Sequence, residues 1–213
     1  MADFCSAVDK GTRTKFYNHD WNPASFDIPT EPEEVYAAFR RHRTGYALQR
    51  SDFPEAEAVF DEKRFAKRRD LFFAGPFFAV KGKLAEVLPR FDLGEGGLIP
   101  FTIYKADLAT PVDGEFFLLN FGARKNSILP EHSRNVVKFA VDRKTGIQHW
   151  KVNSWSEDDD IALSPAALDG PDLWFEEVLH NKIFVKDALA QALIEIGMGD
   201  VFRFQPCRIV DGL

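Results

Sequence analysis

The densest cluster of ionisable side chains in the sequence is a run of consecutive acids, Glu157, Asp158, Asp159 and Asp160, close to Trp155. The run lacks the spaced oxygen ligands, the central glycine and the later glutamate of a calcium-binding loop. Consecutive carboxylates repel one another and are expected to stay hydrated unless a cationic partner covers them. The alternatives are therefore a solvated loop, a partner-binding segment and, last, a metal site. Trp155 with the acids is the candidate partner-binding segment.

The histidines do not form a recognisable catalytic motif. They are His19, His42, His132, His149 and His180. None lies in an HExxH or HxH arrangement, and no GxSxG nucleophile motif occurs. Glu131, His132 and Ser133 could form an acid–base group, but adjacent loop residues rarely converge on one atom. The sequence therefore predicts no catalytic residue and no enzyme.

The two cysteines, Cys5 and Cys207, lie near opposite ends of the chain and form no CxxC pair. This spacing argues against a zinc site and for reduced thiols. Cys207 lies in an apolar strand pattern, where a buried and inert thiol is the usual outcome. No metal and no cofactor is predicted.

The charge is unevenly distributed along the chain. The formal net charge is −6, and residues 156–213 alone carry −8, with 12 acids against 4 Lys and Arg. An acidic region is unfavourable for nucleic-acid binding, because phosphates need Lys and Arg to replace their counterions. The acidic region is expected either to attract a basic partner or to serve only solubility.

A pattern of strand, helix and strand occurs twice, over residues 77–105 and 182–210. In both copies apolar residues follow the i, i+3, i+4, i+7 spacing of one buried helix face. These are Leu84, Val87, Leu88 and Phe91 in the first copy and Leu189, Ala192, Leu193 and Ile196 in the second, at an offset of 105 residues. Upstream, residues 70–73 resemble residues 172–175 at an offset of 102. Neither copy contains GxGxxG, so the repeat is architecture and not a nucleotide site.

Other segments complete the expected architecture. The sequence predicts helices from Pro32 to His42 and over residues 56–68, and a hairpin over residues 136–152 with a turn at 144–146. Pro100 makes a fully paired position unfavourable in its strand. The predicted fold is α+β: a mixed sheet with two similar β-α-β units and additional helices packed against it. We expect a single domain, 1–213, with an irregular and helical part at 1–69 and a β-rich part with the repeat at 70–213.

Membrane insertion and export are not expected. No apolar run reaches the ~18 residues that a membrane span needs. The first residues lack the apolar stretch of a secretory signal. We therefore expect a cytoplasmic protein that contacts no membrane.

Residues 172–210 contain an acid-Leu-Trp-Phe start, a strand, a helix, a glycine turn and a strand rich in Phe and Pro, at residues 172–175, 183–187, 189–193, 197–199 and 202–206. With these features the segment resembles the ending of a bacterial immunity-protein family that is encoded beside polymorphic and type VI secreted toxins. The resemblance is weaker over residues 70–152, and residues 1–60 are not matched. It carries over no functional residue, because the matched positions are those of a core.

The resemblance implies a protein that binds a cognate toxin, often a nuclease, and blocks it by occlusion without catalysis. An acidic surface would then face the toxin surface that normally holds phosphates. The alternatives are a small enzyme with a pocket between the two β-α-β units, and a generic adaptor protein. The expected partner is a protein toxin, not nucleic acid or membrane.

Overall fold

The computed structural model describes residues 14–17, 33–59, 61–153 and 156–211, which fall into two compact units. The N-terminal unit comprises the described residues within Val8–Arg90 and Glu95–Gly122, and the C-terminal unit those within Phe91–Gly94 and Ala123–Leu213. Both helices and strands occur, so the predicted α+β class is confirmed. The expected single domain, 1–213, with parts at 1–69 and 70–213, stays a prediction.

The N-terminal unit is built on a mixed sheet. Its elements are β1 (Thr14–Tyr17), α1 (Glu33–His42), β2 (Ala56–Val59), α2 (Glu62–Ala66), β3 (Leu71–Ala74), β4 (Phe77–Lys81), α3 (Gly82–Val87), β5 (Gly97–Tyr104) and β6 (Phe116–Asn120), with 3-10 turns at Arg50–Asp52 and Leu88–Arg90. The sheet order is β1-β2-β5-β6-β4-β3. Strands β4 and β5 both pair antiparallel with β6, so the first predicted β-α-β unit has another strand between its own two.

The sequence locates most of these elements. Helix α1 confirms the prediction over residues 32–42. The helix predicted over residues 56–68 is wrong in its first part, because Ala56–Val59 forms a buried strand. That strand pairs with β1 on one side and β5 on the other, and this pairing overrides the local helical pattern. In β5, Pro100 pairs with β6 only, since β2 pairs with β5 at residues 102–104.

Phenylalanine rings form much of the core of the N-terminal unit. Cross-strand pairs such as Phe72 with Ala79 and Ala79 with Leu118 place their side chains on one face of the sheet. That face is buried against Phe65 of α2 and Ala38 of α1. Edge-to-face contacts join Phe65, Phe72 and Phe116 within this core.

The C-terminal unit contains several small sheets. Its elements are β7 (Arg124–Lys125), β8 (Val136–Val141), β9 (Gln148–Val152), β10 (Ala162–Leu163), β11 (Leu173–Glu176), β12 (Ile183–Val185), α4 (Asp187–Glu195), α5 (Gly199–Phe202) and β13 (Arg208–Ile209), with 3-10 turns at Pro130–His132 and Pro165–Leu168. The sheets are β12-β11-β7, β8-β9 and β10-β13. Strands β8 and β9 confirm the predicted hairpin. Its turn is held by Asp142, whose Oδ1 accepts hydrogen bonds from the backbone of Lys144 and Thr145.

The repeated sequence corresponds to a hairpin followed by a helix, once in each unit. In the first copy Leu71 pairs with Val80, and in the second Leu173 pairs with Val185. These pairs have the same register when the offsets of 102 and 105 residues are applied. The hydrogen bond that closes each hairpin is also equivalent: Lys81 N donates to Asp70 O at 3.0 Å, and Lys186 N to Asp172 O at 2.9 Å. The two copies therefore share a structural plan as well as a pattern.

The copies diverge after their helices. Strands β12 and β13, which flank α4 and α5, belong to different sheets. The strand predicted over residues 202–206 is wrong: Phe202 ends α5, and Arg203 adopts a left-handed conformation with φ 48°. Gly197, with φ 83°, ends α4, and the chain then forms another helical turn that buries Val201 and Phe202.

Candidate partner-binding site

The acidic run lies in the connection between β9 and β10. Of the predicted contact residues, Trp155 lies outside the described residues. Glu157, Asp158 and Asp159 are exposed, but Asp160 is only 2% exposed. The structure therefore divides a run that looked uniform in the sequence. We call the three exposed acids, Glu157, Asp158 and Asp159, the acidic turn.

Asp160 holds the acidic turn in place from inside. Its Oδ2 accepts hydrogen bonds from the backbone N–H of Glu157 at 2.8 Å and from Nδ2 of Asn135 at 2.6 Å. Its Oδ1 lies 3.0 Å from Nε of Arg134. These hydrogen bonds, with the charge of Arg134, keep the pKa of Asp160 below its ordinary value. The carboxylate is thus occupied within the unit, and its role here is to position the turn.

Further bonds anchor the backbone on both sides of the acidic turn. The N–H of Asp160 donates to the carbonyl of Glu157, and the N–H of Asp159 donates to the carbonyl of Pro206 at 3.0 Å. Ser156 and Gln205 exchange two further hydrogen bonds. Asp159 has φ 61°, a conformation that Asp and Asn tolerate better than most residues.

The acidic turn presents its charges on this anchored backbone. No ion pair to a described residue engages the carboxylate of Glu157, Asp158 or Asp159. Carboxylates that have no ion pair to a described residue, carried on an anchored backbone, suit recognition of cationic groups, because little loop ordering remains to oppose binding.

The other candidate acid–base residues are engaged in structural contacts. The hydroxyl of Ser133 donates to Leu129 O at 2.8 Å and accepts from the N–H of Ala162 at 2.9 Å. Glu131 and His132 are exposed neighbours in a 3-10 turn. His149 lies in β9, on a sheet as expected. Glu131, His132 and Ser133 are thus adjacent in the sequence, but the hydroxyl of Ser133 is engaged in hydrogen bonds with backbone groups.

The thiol of Cys207 lies at the edge of the C-terminal core. Burial raises its pKa to about 11. A thiol with a raised pKa is protonated at neutral pH and is a weak nucleophile. Cys5 lies outside the described residues.

A buried carboxylate that the sequence analysis did not single out lies in β11. Oε2 of Glu176 accepts from the backbone of Ser127 at 2.9 Å and of Ile128 at 3.1 Å, and its Oε1 accepts from the hydroxyl of Ser127 and from Nε1 of Trp174 at 2.9 Å. Glu176 is 3% exposed. The signal in the sequence that could have identified Glu176 as buried was its position in the otherwise apolar strand Leu-Trp-Phe-Glu.

Histidine 42 is buried at the end of α1. Its ring lies among the rings of Phe53, Phe77, Phe78 and Phe121, with centroids 4.9–6.0 Å away. Burial, with the charge of Arg43, lowers its pKa to about 3. Nε2 accepts a long hydrogen bond of 3.4 Å from the N–H of Phe78, so the ring serves the core as a neutral group.

The N-terminal unit also contains a cleft of about 580 Å³. Its charged lining residues are Glu62, Lys81, Glu86, Lys105, Asp113 and Glu115. Burial lowers the pKa of Lys81, whose Nζ lies 5.3 Å from the centre of the Phe65 ring, although the charge of Asp70 opposes this shift. The described residues that line the cleft include no Ser, Thr, Cys or His that could act as a nucleophile or imidazole base.

The described residues carry no grouping of three or more His, Cys, Asp or Glu side chains placed to hold a metal ion. Within the described parts of the chain, no helix has both the length and the apolar character needed to cross a membrane. No family model matches the chain, and neither a curated protein nor a solved structure matches it.

Proposed function

We propose that the protein is a bacterial immunity protein, which binds a cognate toxin stoichiometrically and blocks it without catalysis. The observation that carries the proposal is the acidic turn: exposed carboxylates without ion pairs to described residues, on a backbone anchored by Asp160. Such a surface complements a basic surface, and the active surface of a nuclease is basic because it holds phosphates. The proposed location is the cytoplasm, and the proposed toxin is a nuclease effector delivered by type VI secretion or direct contact.

The resemblance of residues 172–210 to an immunity family supports the class of function and not the binding surface. Trp174 stacks on Phe184 with ring centres 5.6 Å apart, and Leu189 and Leu193 are buried. These residues are therefore occupied in packing. The toxin contact is assigned instead to the acidic turn, with Trp155 beside it in the sequence.

Co-expression with the toxin encoded by an adjacent gene tests the proposal. The protein is expected to restore growth of cells that express the toxin, and to co-purify with it in a fixed stoichiometry. Growth inhibition that persists at high levels of folded protein, with no complex in size-exclusion chromatography, would contradict the proposal. A neighbourhood without any toxin gene would also count against it.

The second candidate function is that of a small enzyme or ligand-binding protein using the cleft in the N-terminal unit. The observation that favours it is a volume of about 580 Å³, within the range of small-molecule sites, with the Lys81 ammonium at its wall. The substitution Lys81→Met keeps most of the side-chain volume and removes the charge. Neutralisation of the toxin by this variant at the wild-type level supports the immunity function through a surface outside the cleft, whereas a folded wild-type protein that does not neutralise the toxin favours a function of the cleft.

A further inference from the structure

The β8–β9 hairpin has the opposite charge from the rest of the C-terminal part of the chain. Residues 136–152 contain Lys138, Arg143, Lys144 and Lys151 against the single acid Asp142, whereas residues 156–213 carry a formal charge of −8. The hairpin is also apolar at its surface. Phe139, Val141 and Ile147 are 46%, 56% and 48% exposed. Exposed apolar side chains combined with a local positive charge mark a surface suited to an acidic, partly apolar partner.

One edge of the hairpin is occupied. On β9, the N–H of Trp150 donates to the carbonyl of Val178 at 2.7 Å, and the N–H of His180 donates to the carbonyl of Trp150 at 2.8 Å. The segment around Leu179 therefore pairs with β9 in a parallel bridge. Strand β9 is thus flanked on both sides.

The outer edge of β8 is open from Val136 onwards, whereas just before the strand the N–H of Arg134 donates to the carbonyl of Asp160 at 2.7 Å. The backbone N–H of Asp142 donates to Ile147 O, and the backbone N–H of Asn153 donates to Asn135 O. Because hydrogen-bonded and non-hydrogen-bonded pairs alternate along an antiparallel hairpin, these two bonds define which residue pairs are hydrogen-bonded. By this alternation the N–H and C=O groups of Val136, Lys138 and Val141 point away from β9. No backbone hydrogen bond from a described residue reaches them on that side. An open strand edge is a template for another strand.

Two features of β8 restrict what can pair with it. A β-bulge lies between Lys138 and Ala140, and it displaces Phe139 from the regular ladder. Lys138 also makes the edge positive, whereas Lys151 lies opposite Val137 on β9, with its Nζ 5.6 Å from the centre of the Phe139 ring. A second copy of the chain placed along the same edge would bring like charges together, which is unfavourable across strands. A strand with acidic side chains would face opposite charges instead.

We propose that the outer edge of β8 is a docking site for an extended segment of a partner protein, which adds as a further strand and alternates apolar with acidic side chains. The backbone groups of Val136, Lys138 and Val141 supply hydrogen bonds, and Lys138 selects the acids on one face of the added strand. Phe139, which contacts Lys151 on the opposite face of the hairpin, supplies apolar contact. This inference goes beyond the proposed immunity function and does not rest on it, because it uses neither the acidic turn nor a toxin.

The test uses a fluorescein-labelled peptide that alternates valine and glutamate, compared with one that alternates valine and lysine. Fluorescence polarisation is expected to show binding of the acidic peptide that is about tenfold or more tighter than that of the basic one. Amide chemical shifts of residues 136–141 are expected to change on binding. Equal binding of both peptides, or shift changes confined to other residues, would overturn the proposal.

Two variants separate the backbone and charge contributions. Val141→Pro removes an outward N–H that the hairpin does not use, and Lys138→Glu inverts the charge while keeping every backbone donor. Each is expected to weaken binding of the acidic peptide about tenfold, and Lys138→Glu is expected to favour the basic peptide. If Val141→Pro fails to fold, Lys138→Glu decides alone. Unchanged binding by folded Lys138→Glu, or dimerisation of the wild type without peptide binding, would contradict the proposal.

Discussion

Asp159 and Asp160 are neighbours in the sequence, yet their side chains lie in opposite environments. The first belongs to the acidic turn and is exposed, whereas the second is buried and accepts hydrogen bonds from Glu157 and Asn135. Glu176 resembles Asp160, because it too is buried and its oxygens are saturated by donors. A carboxylate that accepts no hydrogen bond from a described residue is available for a partner, whereas a carboxylate whose oxygens are all hydrogen-bonded stabilises the unit that carries it.

This difference predicts a graded series of effects on stability. Removing a buried carboxylate whose oxygens all accept hydrogen bonds leaves the buried donors without acceptors. This lowers the free energy of unfolding. Removing an exposed carboxylate leaves the fold intact and changes only its surface charge. If the substitution of an exposed carboxylate destabilised the protein as much as that of a buried one, the difference drawn between the two kinds of carboxylate would be wrong.

The largest effect is expected for Glu176. The variant Glu176→Ala leaves the backbone donors of Ser127 and Ile128 and the indole of Trp174 without their acceptor, so it should lower the free energy of unfolding by about 3 kcal/mol or more. Urea denaturation measures this change in the free energy of unfolding.

Glu177→Ala is the matched control, since Glu177 is exposed and pairs with Arg124 at 3.6 Å. Its free energy of unfolding is expected to fall by no more than about 0.5 kcal/mol. Equal losses for the two variants would contradict the assignment.

Histidine 42 extends the comparison to a buried base. Its pKa is about 3 in the folded protein and ordinarily 6.5, so the unfolded chain binds the proton first as the pH falls. The stability that the neutral ring contributes is therefore complete above pH 6.5 and is lost progressively towards pH 3. At pH 5 the loss is about 2 kcal/mol relative to neutral pH.

Urea unfolding at pH 7 and pH 5 measures this contribution. The variant His42→Phe has no titrating ring, and its loss of stability between the two pH values should be smaller than that of the wild type by about 2 kcal/mol. The variant can be less stable than the wild type at both pH values without affecting this difference. An identical loss in both proteins would show that His42 does not titrate as its burial requires.

A smaller effect is expected for Asp160. Asp160→Ala removes the acceptor for Glu157 and Asn135 and should lower the midpoint of thermal unfolding by a few degrees, whereas Asp158→Ala should leave it unchanged. The pKa of Asp160 is lowered, so its contribution is complete above the ordinary Asp pKa and is lost as the pH falls through the folded value. Differential scanning fluorimetry distinguishes the variants. A midpoint lowered equally by both would contradict the different roles given to these residues.

The sequence predicts elements that depend on local signals. Helix α1, the β8–β9 hairpin and the repeated offset follow from capping residues, alternation and periodicity. Strand β2 was missed because its stability comes from pairing with β1 and β5, which lie far away in the sequence. The strand expected at residues 202–206 was wrong because the glycine turn leads into a second helix.

The site was predictable only in part. Charge density identifies residues 157–160, but not which of these acids is buried, because the donors to Asp160 include Asn135, distant in the sequence. The same holds for Glu176, whose donors at residues 127 and 128 lie on another loop. A triple variant in which Asp158, Asp159 and Asp160 are all replaced by alanine would therefore combine a loss of surface charge with a loss of structure. Separate variants keep the two effects apart.

The most direct test of the proposed function is the rate at which the proposed partner, a toxin encoded by an adjacent gene, associates with the protein. The variant Glu157→Gln/Asp158→Asn/Asp159→Asn removes the charge of the acidic turn and keeps the size of its side chains, and Asn tolerates the positive φ of residue 159. At low salt, stopped-flow fluorescence is expected to show an association rate about tenfold lower than that of the wild type, with a weaker dependence on salt. An association rate and salt dependence equal to those of the wild type, in a folded variant, would contradict the central claim.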